Sequence, residues 1–309
     1  MKRGWKIFWI VCGIVFCMGA AFCIAGRMMG TSFYEAAAEL DARSRFFPGF
    51  LFSGLDDDLD DTIELTSKIT DSREYGYGER AKEPGIKKDY SGIRKIDVDA
   101  AGIQLQVLAS PDKDVHVEAV NVDKRLRFKC IQNRDELDIT TTKKLRTINR
   151  IDGYATVWLL IPEEQLEELE LSNDAGEVYV AKANAVDFSL DVGAGQAVVD
   201  DFTAQVADME CGAGEITATG TIQSEGDIGC GVGEIVLTLM GNETDFIYNV
   251  DCGIGEVEIG GESFSGIGVS KSGHGYDDDD EYHGDGSHGG KELSIECGIG
   301  SVSVDFREP

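Results

Sequence analysis

From about Ile93 onward, apolar and polar residues alternate with a period of two. Ile96, Val98 and Ala100 share one face, and Ile103, Leu105 and Val107 share a face after a corner at Gly102. This alternation predicts half-buried strands, and further runs at 115–122, 126–131, 137–142 and 154–161 complete an all-β entry region with no competing helical period. A self-similar unit follows: LSNDAGEVYV (171–180), LDVGAGQAVV (190–199), MECGAGEITA (209–218), IGCGVGEIVL (228–237), VDCGIGEVEI (250–259) and IECGIGSVSV (295–304). Its second glycine falls at 176, 195, 214, 233, 255 and 300, in steps of 19, 19, 19, 22 and 45. Nineteen residues suit two short strands and two corners, so the expected architecture is a parallel β-solenoid, about 19 residues per coil, with rungs about 4.8 Å apart.

The unit has a phase slip. In 250–259, Val250, Cys252 and Ile254 are expected to alternate inward, and Val257 and Ile259 resume the pattern three residues on instead of two. That slip marks a corner at Gly255, where a missing Cβ permits unusual φ and close stacking. The Gly-x-Gly element is therefore structural. A dinucleotide-binding fingerprint fails, because no helix follows and the phosphate loop would recur six times. Leu190, Met209, Ile228 and Val250 are expected to form one inward stack. Beside it, Cys211, Cys230, Cys252 and Cys297 continue from Asn173 and Val192 as a ladder of buried free thiols. Zinc is the competing reading of these cysteines, but ligands stacked along one face do not converge tetrahedrally. Outward, Glu177, Glu215, Glu234 and Glu256 predict an acidic row, interrupted by Gln196 and ended by Ser301.

The first 30 residues read differently. Ile7 to Ala25 is uninterrupted by charge and long enough to cross a bilayer, which predicts one N-terminal transmembrane helix within a 1–30 membrane anchor. Lys2, Arg3 and Lys6 precede it and Arg27 follows, a bias that puts the N-terminus inside and the repeat domain outside the cytoplasm. Residues 31–90 lack sustained periodicity and read as an acidic juxtamembrane linker. Its run Asp56, Asp57, Asp58, Asp60 and Asp61 lacks the glycine and glutamate that an EF-hand requires. Residues 91–309 then form the repeat domain.

Charge narrows the function. Across 309 residues, 57 acids against 28 bases give a net charge of −29, which excludes a nucleic-acid binder because phosphate backbones demand a basic face. Most of the excess is local: residues 172–305 carry 27 acids and only Lys182, Lys271 and Lys291, whereas 86–171 carry 16 acids and 14 bases. No G-x-S-x-G, P-loop or HExxH motif occurs, and His116 is the one histidine outside the insertion at 272–290. Paired carboxylates are plentiful, so a polysaccharide-active enzyme stays as an alternative to a noncatalytic role. The insertion, SGHGYDDDDEYHGDGSHGG, supplies a third reading. His274, His283 and His288 with Asp277, Asp278, Asp279, Asp280, Glu281 and Asp285 offer nitrogen and oxygen ligands for a divalent metal in a projecting loop, against a plain solvated loop. No other cofactor is expected.

Roughly 93–305 resembles the toast-rack, or putative-adhesin, β-strand-repeat family of bacterial envelope proteins. The likeness is carried by Val157-Trp158-Leu159-Leu160-Ile161-Pro162, by Leu166, Leu169 and Leu171, and by the repeated glycine-corner units behind an N-terminal membrane segment. The resemblance implies the fold, association with envelope-stress sensing and surface interaction, and an envelope protein or surface polymer as partner. It supplies no catalytic residues. The insertion after Glu262 departs from the regular unit, which makes the last rungs the least determined.

Overall fold

The computed structural model describes residue 65 and residues 75–142, 155–274 and 290–308, with the backbone alone for 264–274. The chain divides into two units, Met1–Leu59 and Asp60–Pro309, and every described residue belongs to the second. The expected membrane helix lies outside the described residues, among which no helix is long and apolar enough to cross a membrane.

The described chain is all-β apart from two short 3-10 turns. Its strands are β1 (Ile86–Tyr90), β2 (Lys95–Ala100), β3 (Ile103–Ala109), β4 (Val115–Val120), β5 (Lys129–Asn133), β6 (Glu136–Thr140), β7 (Ala155–Ile161), β8 (Leu166–Val180), β9 (Ala183–Cys211), β10 (Glu215–Met240), β11 (Phe246–Ile259), β12 (Glu262–His274) and β13 (Lys291–Arg307). The 19-residue period appears directly as register: Leu171 pairs with Leu190, Gly176 with Gly195, Met209 with Ile228 and Cys211 with Cys230, all parallel. The strands run through the other repeat corners unbroken, and at 212–214, where β9 gives way to β10, backbone bonds still cross the corner: the Gly212 N–H donates to the Val192 carbonyl at 2.9 Å and the Ala213 N–H to that of Gly193 at 2.8 Å. One irregularity falls between Ala218 and Glu225, where the offset drops to 18 (Phe202 to Gly220) and then recovers.

The entry region is a bent rung from which two branches grow. β2 pairs with the first half of β8 and β3 with the second half, so the corner at Gly102 lies beside the corner of the first repeat. From β2 the sheet continues through β6 to β5; from β3 it continues through β7 and β4 to β1. Inward side chains of both branches, such as Val98, Ile139, Leu105, Val157 and Val117, join the repeat interior in one core. β7 is buried on both faces. Its outward Trp158 and Leu160 pack with Val120 under Tyr75, in a second small cluster. Trp158 Nε1 donates to the Glu79 carbonyl at 2.7 Å, and Gln104 Nε2 donates to the Tyr75 carbonyl at 2.9 Å. Folded structure thus begins upstream of residue 91: 75–81 covers the outer face of the sheet, and Ile86–Tyr90 pairs antiparallel with β4. The sequence shows no periodicity at 75–81 because a strap is held by side-chain bonds, including Arg80 to Glu118 at 2.7 Å, and by Tyr75 and Tyr77 packing on Trp158 and Tyr179.

The last rungs are not stacked in chain order. β13 lies between β10 and β11, parallel to both, so that Ile228, Ile295 and Val250 are consecutive in space, as are Cys230, Cys297 and Cys252. β12 turns back antiparallel on the outer edge of β11. The cause is the turn Gly260-Gly261, both at positive φ (57° and 88°), the conformation of a tight hairpin. With β12 on one edge of β11, the C-terminal unit has only the other edge available. The 22-residue step fits this order, since three extra extended residues reach about 10 Å, enough to pass a rung left open for β13.

Close stacking at the corners explains the glycines. A Cβ on Gly195 would lie 1.9 Å from the Gly176 carbonyl oxygen, one on Gly233 2.0 Å from that of Gly214, and one on Gly300 2.1 Å from that of Gly233. Backbone approach is the requirement; of this row only Gly176, at φ 140°, also needs left-handed freedom. The expected inward position of Ile254 is corrected. It sits between two corner glycines and is 54% exposed, because the turn points the middle residue of Gly-x-Gly away from the core.

Candidate functional site

The inward ladder carries no accessible chemistry. Cys211, Cys230, Cys252 and Cys297 are buried and free. Burial and the neighbouring Cys252 push the Cys297 thiol up to about 11, and contact with Cys211, together with burial, pushes Cys230 up as well, so these two thiols are held protonated, while the hydrogen bond from Cys230 lowers Cys211. Cys130, outside the ladder, is pushed up to about 12 by burial. Asn173 occupies the same inward position one coil before Val192, and its amide donates to the Ile103 carbonyl at 3.0 Å, bracing the bent entry rung.

Outward, the parallel register converts alternate positions into carboxylate rows. Asp138, Asp97 and Glu170 stand side by side on β6, β2 and β8. Further along the same row Asp208 adjoins Asp227. A parallel row, two residues on along each strand, contains Asp99, Ser172, Asp191, Glu210, Gly229, Glu296 and Asp251. Burial, then repulsion from Glu170, Asp138, Asp99 and Glu136, pushes Asp97 up to about 6. Burial and the neighbours Asp227 and Asp191 raise Asp208, and burial with Asp208, Asp191 and Glu296 raises Glu210. Sequence reading missed this face because its members are set together only by pairing between distant strands. The signal available was their shared outward parity.

The row after the corner is present with one change of order. Glu177, Gln196, Glu215 and Glu234 follow one another, and Ser301 then separates Glu234 from Glu256, because β13 is inserted. At its first end, Glu177 borders a shallow cleft of about 380 Å³ lined also by Tyr75, Gly76, Tyr77 and Gln104. Tyr77 stacks on Tyr179 at 4.8 Å between ring centres, and the Tyr179 hydroxyl donates to Asp200 at 2.6 Å. The cleft has one carboxylate in its lining, not the converging pair that glycoside hydrolysis employs.

The candidate metal ligands fall mostly elsewhere. His274 ends β12, its backbone in register with Ile247. Asp277, Asp278, Asp279, Asp280, Glu281, His283, Asp285 and His288 lie outside the described residues. Among the described residues no three histidine, cysteine or carboxylate side chains gather closely enough to hold a metal ion.

The family described as Toastrack DUF4097 matches residues 93–259, more than half of the chain. Among solved structures, a putative cell adhesion protein from Clostridium sporogenes ATCC 15579 is similar at 17% identity and a TM-score of 0.37, covering 73% of this chain and 100% of its own. A putative adhesin from Bacteroides fragilis NCTC 9343 is similar at 13% identity and a TM-score of 0.27, covering 72% of this chain and 98% of its own. No curated relative matches the sequence.

Proposed function

The chain belongs to the Toastrack family, and from that premise we propose that it is a noncatalytic, adhesin-like surface domain that holds a partner against its carboxylate rows. One observation carries this reading: outward acids lie in register across a parallel stack, side by side instead of converging. A flat charged face suits contact with an extended partner, whereas catalysis requires groups aimed at one reacting atom. The apolar segment Ile7 to Ala25 supports a single-pass anchor, and the preceding Lys2, Arg3 and Lys6 support a domain outside the cytoplasm, where an envelope protein or surface polymer would meet it. Protease added to intact cells is expected to remove 90–309; protection of that region in permeable envelopes reverses the topology. Exchange of Asp97, Asp208 and Asp227 for asparagine is expected to reduce attachment of the domain to isolated cell envelopes. Unchanged attachment would assign the contact to another face.

A second reading rests on how the insertion is tethered. The chain leaves β12 opposite Ile247 and re-enters β13 opposite Phe246, on the two sides of β11, so its ends are held about 9.6 Å apart, two strand spacings. Closing a loop between fixed ends costs less entropy than gathering free ligands. The insertion is accordingly proposed to take a divalent cation such as zinc through His274, His283 and His288. Zinc titration by calorimetry, beside the triple His→Ala variant, decides this: equal heats, or none, leave a solvated loop.

A further inference from the structure

The middle residue of the corner, flanked by two glycines in every unit but the first (Asp174-Ala175-Gly176), changes systematically along the stack. In spatial order it is Ala175, Ala194, Ala213, Val232, Ile299 and Ile254. The glycines on either side are dictated by backbone contact, since a Cβ on the first glycine would also strike a neighbouring carbonyl oxygen, at 2.7 Å for Gly231, 2.6 Å for Gly298 and 2.8 Å for Gly253, but nothing in the corner requires the residue between them to grow from alanine to isoleucine. A single exposed apolar side chain is ordinary on any surface. Three branched ones on consecutive rungs, flanked on both sides by glycine, form a ridge of defined direction. Ile254, at 54%, and Tyr77 are the large apolar side chains exposed among the described residues, and Val232 and Ile299 are half-buried.

The margins of the ridge are acidic. Beyond the glycines on one side run Glu215, Glu234, Ser301 and Glu256; on the other run Glu210, Gly229, Glu296 and Asp251. At the Ile254 rung both margins carry a carboxylate, Asp251 and Glu256, and both are exposed. The lysines of this half are Lys182, Lys271 and Lys291, and Lys182 is engaged by Asp201 at 3.1 Å. An anionic bilayer or acidic polymer would be repelled here. A neutral polymer would match the ridge and not the margins. Charge complementarity selects a polycation with apolar side chains between its charges.

We propose that Val232, Ile299 and Ile254, with the carboxylate rows beside them, form a docking ridge for an extended basic polypeptide: its alternate apolar side chains seat on the ridge, and the lysines or arginines between them, which leave from the opposite face, bend back along their long stems to the margins. The proposal rests on the reading of the domain as a contact module and names its partner by chemistry. An extended chain places alternate side chains on one face at about 6.8 Å, so the three rungs from Val232 to Ile254, spanning about 9.6 Å, accept two of them.

The test uses the full chain in neutral detergent and two labelled probes, Lys-Val-Lys-Val-Lys-Val-Lys and heptalysine, followed by fluorescence anisotropy at about 0.3 M salt to weaken purely charge-driven binding. The alternating peptide is expected to bind about tenfold more tightly than heptalysine despite its lower charge, the gain that seating one branched side chain supplies. Ile254→Ser, a change at an exposed position, should erase that preference and leave heptalysine unaffected. Ala213→Ile, which lengthens the ridge by one rung, should strengthen the alternating peptide alone. Paired Glu234→Gln and Glu256→Gln should weaken both probes. Equal binding of the two probes, or indifference to Ile254→Ser, overturns the ridge while leaving acidic contact intact. Absence of binding by either probe overturns the ridge and also removes the support that these rows lend to the contact reading.

Discussion

At Gly233 one methyl group decides whether adjacent turns of the chain can touch. A Cβ there would come within 2.0 Å of the Gly214 carbonyl oxygen, a backbone atom that cannot rotate away, whereas a Cβ on Gly229 meets only the Glu210 side chain at 3.5 Å. Gly233→Ala is therefore expected to lower stability by about 2–3 kcal/mol, as overpacking does, and Gly229→Ala to change it by less than about 0.5 kcal/mol, both read by urea unfolding. Asp97 makes a second prediction at this scale. Burial and the surrounding carboxylates raise its pKa in the folded protein to about 6, above the unfolded value of about 3.9. A raised carboxyl favours the folded state while protonated, so this contribution is complete below about pH 4 and is lost as pH rises through about 6. Asp97→Asn should thus stabilise the protein above pH 6, by roughly 1 kcal/mol after allowance for solvent screening, with the difference closing towards pH 4. A gap that widens on acidification would contradict the assignment. Individual residues of this kind were partly legible: the corner glycines announced themselves by repetition, but nothing local to Asp97 reveals that Asp138 and Glu170 will stand on either side of it.

Among elements, the order of β10, β13 and β11 is the feature that chain order conceals. Ser301 is in register with both Glu234 and Glu256, which are themselves two rungs apart. Cysteines placed at 234 and 301 should be joined readily by a short bifunctional thiol reagent, and so should cysteines at 301 and 256. The pair at 234 and 256, about 9.6 Å apart across two strand spacings, should not. Efficient joining of that last pair, with failure of 234 and 301, would restore sequential stacking, in which 301 and 256 remain neighbours. The signs of the rearrangement were present in the sequence as the Gly260-Gly261 pair and the 22-residue step. They were ambiguous because the units themselves are nearly interchangeable: GVGE, GIGE and GIGS present the same glycine edge, and Cys230, Cys252 and Cys297 fill the same inward place. Edges that are chemically alike do not choose their neighbours; a hairpin and the length of a connection do.

For the whole molecule, the decisive quantity is a net charge of −29 gathered mostly on one half of the chain. Each neighbouring pair of exposed carboxylates, about 5 Å apart, costs somewhat under 1 kcal/mol in water, and salt screens it. The melting temperature should rise with ionic strength. It should also rise as pH falls from 8 towards 5, because protonation relieves Asp97. His116 acts in the same direction: burial opposes its charge, but hydrogen bonds with Asp89 at 2.6 Å and Asp112 at 2.9 Å outweigh burial and raise its pKa. Its support is present below the unfolded value of about 6.5 and is lost as pH rises through the higher folded one. A melting temperature indifferent to both salt and pH would mean that the rows are not clustered. What the sequence by itself determined is the all-β class, the 19-residue period, the inward stacks and the glycine corners, because each follows from local alternation and from the demand that one face of every rung be apolar. Only the tertiary structure decided that β13 enters between β10 and β11, that 75–81 straps the outer sheet, that Ile254 points outward, and which acids become neighbours. These depend on pairing between residues far apart in the chain, where several partners satisfy the same pattern and only connection lengths, turns and steric contact select one.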